Sequence, residues 1–404
     1  MHHRRNPAHA IRTGALYAGG FLGPFGGAMA APMLPELSAG LDTSLSRASW
    51  AVTAYMIPFA VIMLVSGTLG ERWGRARTMQ WAYVGYAIGS LACAMAPSLG
   101  LFLAARGLQG AANAFTSPLL VAAISDAVPP RLLGRALGVF GSLQAAGQAF
   151  APLVGGAAAA VDYRLAFVAS ALAASTLAIT APSDSPVPHR PGPVGAPRSH
   201  WRALANRRVA VSCAVAFCLY LATTGLQLLV ALRAGDRFGL GPDVRGLVIA
   251  AFGTAGLVTA PRMGRLADRF GIRPFGITVL IGFGGCVLVS GVVPTLWLLV
   301  ALVAGAGVTS TASRVTVNAL AVRSTPTNRG GAMSLTQAGQ FLGSALAPLV
   351  LLPASTAGSV AGFTVAAAAM IPATLVLAVA GEDPVTTAGA ALGERRQRRT
   401  LARH

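Results

Sequence analysis

With 54% of its 404 residues hydrophobic, only 11% charged and a mean hydropathy of +0.64, the chain is excluded from the soluble globular class and reads as a polytopic membrane protein. A net charge of +19 would suggest nucleic acid in a soluble chain, so where the charges sit must decide what they mean. All 31 basic residues are arginine; the cysteines (Cys93, Cys213, Cys218, Cys286) stand singly in apolar runs and the histidines in polar ones, so no metal site, cofactor or enzyme constellation is expected.

Residues 1 to 12 carry Arg4, Arg5 and Arg12 and read as a polar N-terminal segment. The charge-free run from Thr13 to Pro35 contains a mimic of a leader cleavage site, Ala28-Met29-Ala30, and Arg4-Arg5 faintly suggests a twin-arginine signal. About 20 helical residues cross a hydrocarbon core, and further apolar runs follow at once, so a retained first helix is the better reading. Charge-free length and turn chemistry place twelve spans, near 14–36, 48–70, 78–97, 99–125, 136–158, 162–182, 209–233, 245–264, 274–293, 296–322, 330–353 and 359–380. The fold expected is an all-α membrane protein of two six-helix bundles, 13–182 and 209–381. A proline-rich linker, 183–208, joins them as a tether, and a basic tail, 382–404, follows. With the N-terminus inside, 24 arginines fall on the inner face and five on the outer, which puts both termini in the cytoplasm. That placement accounts for the net charge without nucleic acid, and anionic lipid headgroups favour the same face.

Between the second and third spans runs Gly67-Thr68-Leu69-Gly70-Glu71-Arg72-Trp73-Gly74-Arg75, and it returns 197 positions later as Gly264-Arg265-Leu266-Ala267-Asp268-Arg269-Phe270-Gly271. Glycines allow close approach or sharp turns, and an acid followed by arginine allows planar charge pairing. Doubled at this distance, the stretch resembles the signature loop of the major facilitator superfamily of transporters, and the resemblance extends over residues 13 to 381. It implies that Glu71, Arg72 and Arg75, with Asp126 as acidic partner, help latch the two halves on the cytoplasmic side. Glu71 stands where the family usually has aspartate.

A second repeat pairs Gly147, Ala151 and Pro152 with Gly343, Ala347 and Pro348, 196 positions on. Small residues four apart let helices touch, and a mid-span proline frees a carbonyl, so these read as packing and hinge surfaces. Continued through Gly155, the first copy is similar to the fifth-helix motif of drug/proton antiporters, with Ala151 where glycine is usual. In the fourth span, Arg106, Gln109 and Gly110 resemble another antiporter motif, whose arginine is tied to proton coupling. An arginine at depth costs roughly 2.5–3.5 kcal/mol on insertion scales, so it needs a partner or a cavity.

In the superfamily the first, fourth, seventh and tenth helices line the cavity. The resemblance therefore implies a substrate surface from Tyr17, Phe21 and Phe25, from Asn113 and Ser117, from Tyr220, Thr224 and Gln227, and from Ser310, Arg314 and Asn318. For each hydroxyl an intrahelical bond is the simpler expectation. Gln144, Gln148, Gln337 and Gln340 are weaker candidates. No acid lies in the middle of any span. Glu36, at the outer end of the first, is expected to meet Arg106 and to carry the coupled proton, with Asp126 the alternative. The expected function is export of a small, mostly apolar compound against proton entry by alternating access, by a monomeric plasma-membrane protein without cofactor or nucleic acid. An importer of a sugar or other metabolite, and a membrane sensor on the same scaffold, are the rival readings.

Overall fold

The computed structural model describes residues 7–128, 133–180, 204–324 and 329–379, and among these the chain consists of helices and short turns. They form twelve spans. The first half contains Pro7–Ala28, Trp50–Trp73, Arg75–Met95, the pair Leu99–Asn113 and Thr116–Ala127, Leu133–Ala159, and Arg164–Thr180. The second contains Arg207–Phe238, Pro242–Phe270, Ile272–Ser290, Leu296–Ser324, Arg329–Thr356, and the pair Ser359–Ala368 and Met370–Val379. Short helices Leu34–Gly40 and Leu45–Ala48 link the first two spans. An even number of crossings returns Pro7 and Val379, the first and last described residues, to one face, the terminal face. Large apolar side chains such as Trp81, Ile179 and Trp297 are turned outward, as a lipid-facing surface requires.

Prolines account for most departures from the expected boundaries. The first helix is already formed at Pro7 and stops at Ala28 rather than running to residue 36, because Pro32 and Pro35 cannot continue its hydrogen-bond ladder. The fourth span breaks after Asn113, where Pro118 offers no N–H to the carbonyl of Ala114. Ser66 Oγ of the second span donates to that carbonyl instead, at 2.8 Å. Pro372 stands just past the break in the last span. The second half begins before residue 209. Leu204 is buried, and Asn206 caps the seventh span by accepting from the Val209 amide while donating to the Ser324 carbonyl. Most of the expected linker, the start of the N-terminal segment and the basic tail lie outside the described residues.

Glycine contacts repeat across the two halves. A Cβ at Gly147 would lie 2.1 Å from the Phe21 carbonyl oxygen, and one at Gly343 would lie 2.1 Å from that of Phe217. Gly110 abuts the Tyr55 carbonyl as Gly307 abuts that of Phe252. In each pair the second contact is the first shifted by 196 or 197 positions. Backbone approach this close is the packing that small residues provide within a bilayer, supplemented by Cα–H···O contacts worth roughly 0.5–1 kcal/mol each. One seam is keyed in opposite senses. Gly155 admits Met29 in the first half, whereas Gly225, equivalent to Met29, admits Leu351, equivalent to Gly155, in the second.

The halves meet on the face away from the termini. Gly156 and Gly246 bring the fifth and eighth spans into backbone contact, Thr53 Oγ1 donates to the Ala345 carbonyl at 2.6 Å, and Leu228 and Leu352 pack with Phe25 and Met29. Toward the terminal face the apolar clusters are separate, one around Leu119, Met79 and Phe140, another around Phe275 and Ala312. The molecule is therefore sealed on one side and divided on the other.

Candidate functional site

Two adjoining cavities occupy the space between the halves, and Gln148, Tyr220 and Arg314 line both. The first is bounded by the second span through Met56, Phe59 and Met63, and by the eleventh through Gln337, Gln340, Phe341 and Ser344. Phe59 and Phe341 meet edge to face across the halves, with ring centroids 4.3 Å apart. The second cavity lies nearer the terminal face, between Gly141 and Ala145 of the fifth span, Leu257 and Pro261 of the eighth, and Ser310 and Asn318 of the tenth.

Seven of the expected substrate residues line these spaces. Ser117, Tyr220, Thr224, Gln227 and Arg314 face the first, and Ser310 and Asn318 join the second. Their hydroxyls are not simply bonded back into their own helices: Thr224 donates to Ser344 Oγ at 2.9 Å, and Thr223 pairs with Ser310 at 3.2 Å. The other four are elsewhere. Tyr17 packs beside the Leu16 and Met79 cluster, Phe21 and Phe25 stack on each other within the sealed face, and Asn113 is fully buried. Asn113 donates to the Gly23 carbonyl and to Tyr55 Oη, so the amide holds the first, second and fourth spans together.

The expected meeting of Glu36 with Arg106 does not occur. Arg106 is fully buried inside the first half, donating through Nε to the Ala51 carbonyl (3.1 Å), through Nη2 to the Gly26 carbonyl (3.1 Å) and through Nη1 to Gln109 Oε1 (2.5 Å). Its guanidinium lies 4.4 Å from the centroid of the Tyr55 ring, and Gln109 continues the network to Ser90 Oγ. Carbonyl dipoles and a ring face thus compensate the cation in place of a carboxylate. The equivalent positions of the second half are Val303, Ala306 and Val287, all apolar and buried. Glu36 instead pairs with Arg245, at the start of the eighth span, across the sealed face between the halves. The pair is incompletely satisfied, since Glu36 Oε2 and Arg245 Nε are buried without a hydrogen-bond partner.

At the terminal face, Gly74 and Gly271 each form a one-residue joint between two helices, with φ of +91° and +84°. Those values are open to glycine and strained for most other residues. Arg75 pairs with Asp126, tying the third span to the end of the fourth within the first half. At the corresponding positions of the second half stand Ile272 and Arg323, so that pair has no counterpart there. Arg72, Asp268 and Arg269 are exposed, Gly67 makes an ordinary contact with Pro118, Gly264 faces open space, and the Glu71 side chain is outside the described residues. Ala151 and Ala347 are buried at the packing seams, Pro152 lies under Gly246, and Pro348 lines the first cavity.

The apolar wall of Met56, Phe59, Met63 and Phe341 was not anticipated. Val52, Met56, Phe59 and Met63 recur at helical spacing, the one available signal, but a stripe of that kind is ordinarily core.

Paired six-span bundles enclosing a cavity sealed at one face define a two-repeat membrane transporter, not an enzyme. The Major Facilitator Superfamily model matches residues 16–240 and 212–403, and the chain belongs to that family. Among curated relatives, it is 33% identical over 127 residues to the MFS-type transporter YvkA of Bacillus subtilis, covering 31% of this chain and 29% of the relative. It is 34% identical over 122 residues to a probable actinorhodin transporter of Streptomyces coelicolor (30% and 21%). It is 32% identical over 124 residues to the drug efflux pump JefA of Mycobacterium tuberculosis (30% and 24%). The matched segments thus span less than a third of these relatives' own length. A bacterial homolog of the human lysosomal transporter Spinster, solved inward-facing and unoccupied, superposes with a TM-score of 0.71 at 16% identity, covering 93% of this chain and 96% of that one. This likeness is one of fold.

Proposed function

We propose that the protein exports small, mostly apolar compounds from the cytoplasm in exchange for protons, by alternating access, as a monomer in the plasma membrane with both termini inside. The observation that carries the reading is the central cavity, walled by Met56, Phe59, Met63 and Phe341 and edged by amides and hydroxyls from both halves. Such a lining suits an apolar body with a few polar contacts better than a sugar, which would call for denser hydrogen bonding. The relatives named as a drug efflux pump and an actinorhodin transporter support the outward direction. With the positive face inward, the divided side is cytoplasmic, where an exporter loads. Coupling falls to Glu36, whose pairing with Arg245 exists only while the outer face is closed; opening frees the carboxylate to take a proton from outside.

The test is accumulation of a fluorescent apolar dye in inside-out vesicles carrying the protein. Accumulation should follow an imposed proton gradient and collapse with an uncoupler. Flux indifferent to the gradient removes the coupling, and absence of any flux leaves the sensor as the surviving alternative.

A further inference from the structure

We infer that Arg314 is an anion anchor and that the preferred cargo is a monoanionic amphiphile, an apolar or aromatic body bearing one carboxylate-type group. This rests on the reading of the cavity as the cargo site. It narrows the cargo by charge, which the export reading leaves open.

Arg106 is consumed by two backbone carbonyls, an amide and a ring face, and Arg245 is paired with Glu36. Arg233, near the sealed end of the seventh span, donates to the Val293 carbonyl at 2.8 Å. Arg314 is different. Alone among these four it lines the cavities, both of them; it is only partly buried, and its guanidinium donates to a neutral group, the Gln148 side-chain oxygen, 3.1 Å from Nη1. Neither of the ion pairs found among the described residues involves it. The neutral partner fixes the guanidinium against the fifth span without balancing its charge.

Among the described residues, no other charged side chain lines either cavity. A cationic cargo would therefore meet a like charge with no carboxylate to offset it, and a dianion would bring a second charge with no cation to receive it. A single carboxylate matches the inventory, and the guanidinium fork is shaped to bind one through two parallel hydrogen bonds. The pseudo-equivalent position in the first half is Ser117, which also lines the first cavity, so the two repeats present a neutral hydroxyl and a cation to the same space. Met56, Phe59, Met63 and Phe341 line that space as well, so an anionic head at Arg314 leaves its apolar body facing thioethers and rings.

The experiment is equilibrium binding of 1-naphthaleneacetate, 1-naphthaleneethanol and 1-naphthylmethylammonium to purified full-length protein in lipid nanodiscs, with empty nanodiscs subtracted. The carboxylate should bind about tenfold tighter than the alcohol, the effect of one charge-assisted hydrogen bond, and the ammonium weakest. Arg314→Gln should abolish the difference between carboxylate and alcohol, and Arg314→Lys should keep part of it. Equal affinities for the three, a preference for the ammonium, no saturable binding of the carboxylate, or a preference that survives in Arg314→Gln each overturns the proposal. If Arg314→Gln does not insert, the wild-type ranking decides alone. No gradient is used, so the two readings fail separately. Anion preference without vesicle export removes the export reading, and export indifferent to charge removes only the anchor.

Discussion

Truncating Arg106 to alanine withdraws every donor that the Gln109 side-chain oxygen and the two neighbouring carbonyls share, inside a fully buried network. The expected cost is about 1–3 kcal/mol, seen as a lower melting temperature of the purified protein. The second half already contains the apolar solution to the same packing problem. Copying it, as Arg106→Val with Gln109→Ala and Ser90→Val, should recover part of that loss, because the side-chain partners go together with the donor while the Ala51 and Gly26 carbonyls stay. A stable triple variant with normal gradient-driven export assigns Arg106 to bracing; a stable but uncoupled one returns it to proton transfer. That an arginine at this depth needs partners was legible in the sequence. Which partners was not, because backbone carbonyls carry no residue signature, and two of Arg106's three acceptors are carbonyls from the first and second spans. Arg314, placed on the substrate surface with Ser310 and Asn318 by the family resemblance, lines both cavities.

At the scale of helices, the repeated glycine contacts lead to a paired expectation. Gly147→Ala and Gly343→Ala each drive a methyl against a backbone carbonyl, so the first and fifth spans, or the seventh and eleventh, must part. Each should cost about 1–3 kcal/mol, and the two should be alike because the geometry is alike. Gly264→Ala, with open space around the added carbon, should be neutral or stabilising by up to about 1 kcal/mol. Melting curves of the three variants decide it, and a large loss at Gly264 or none at Gly147 would contradict the packing account. The count of spans and the small-residue seams were readable because length, charge and glycine spacing are local properties. The helix ends were less so: a break such as that after Asn113 depends on Ser66, distant in sequence, accepting the role of partner to a freed carbonyl.

For the molecule as a whole, the Glu36–Arg245 pair joins residues 209 positions apart and exists only because the two halves close on that face. A part-buried pair with unfilled hydrogen-bonding capacity on both sides gives little net stabilisation, which suits a contact that opens in the proposed cycle. Glu36→Gln should abolish uphill, gradient-driven export while leaving binding and passive exchange intact, measured in the same vesicles. Wild-type concentrating ability in that variant moves the proton elsewhere, and Asp126 is then the residue to change. Sequence alone closed the first span with Glu36, which stands instead in the short helix beyond it, and paired it with the wrong arginine, since the eighth span's approach to the first half is set by Gly246 and Gly253 packing on Pro152, Gly156 and Ala149.

The oppositely keyed seam bears on how such a chain can change over time. Gly155 receives the Met29 backbone carbonyl while the Leu351 side chain enters Gly225, so a side chain added at 155 or 225 produces a collision and truncation of Leu351 a void. The residues at 225 and 351 are thus constrained to drift together, position 155 is held to glycine whatever side chain stands at 29, and carrying the first half's fifth helix into the second would set glycine against glycine. Two bundles that share a common plan have become non-interchangeable parts.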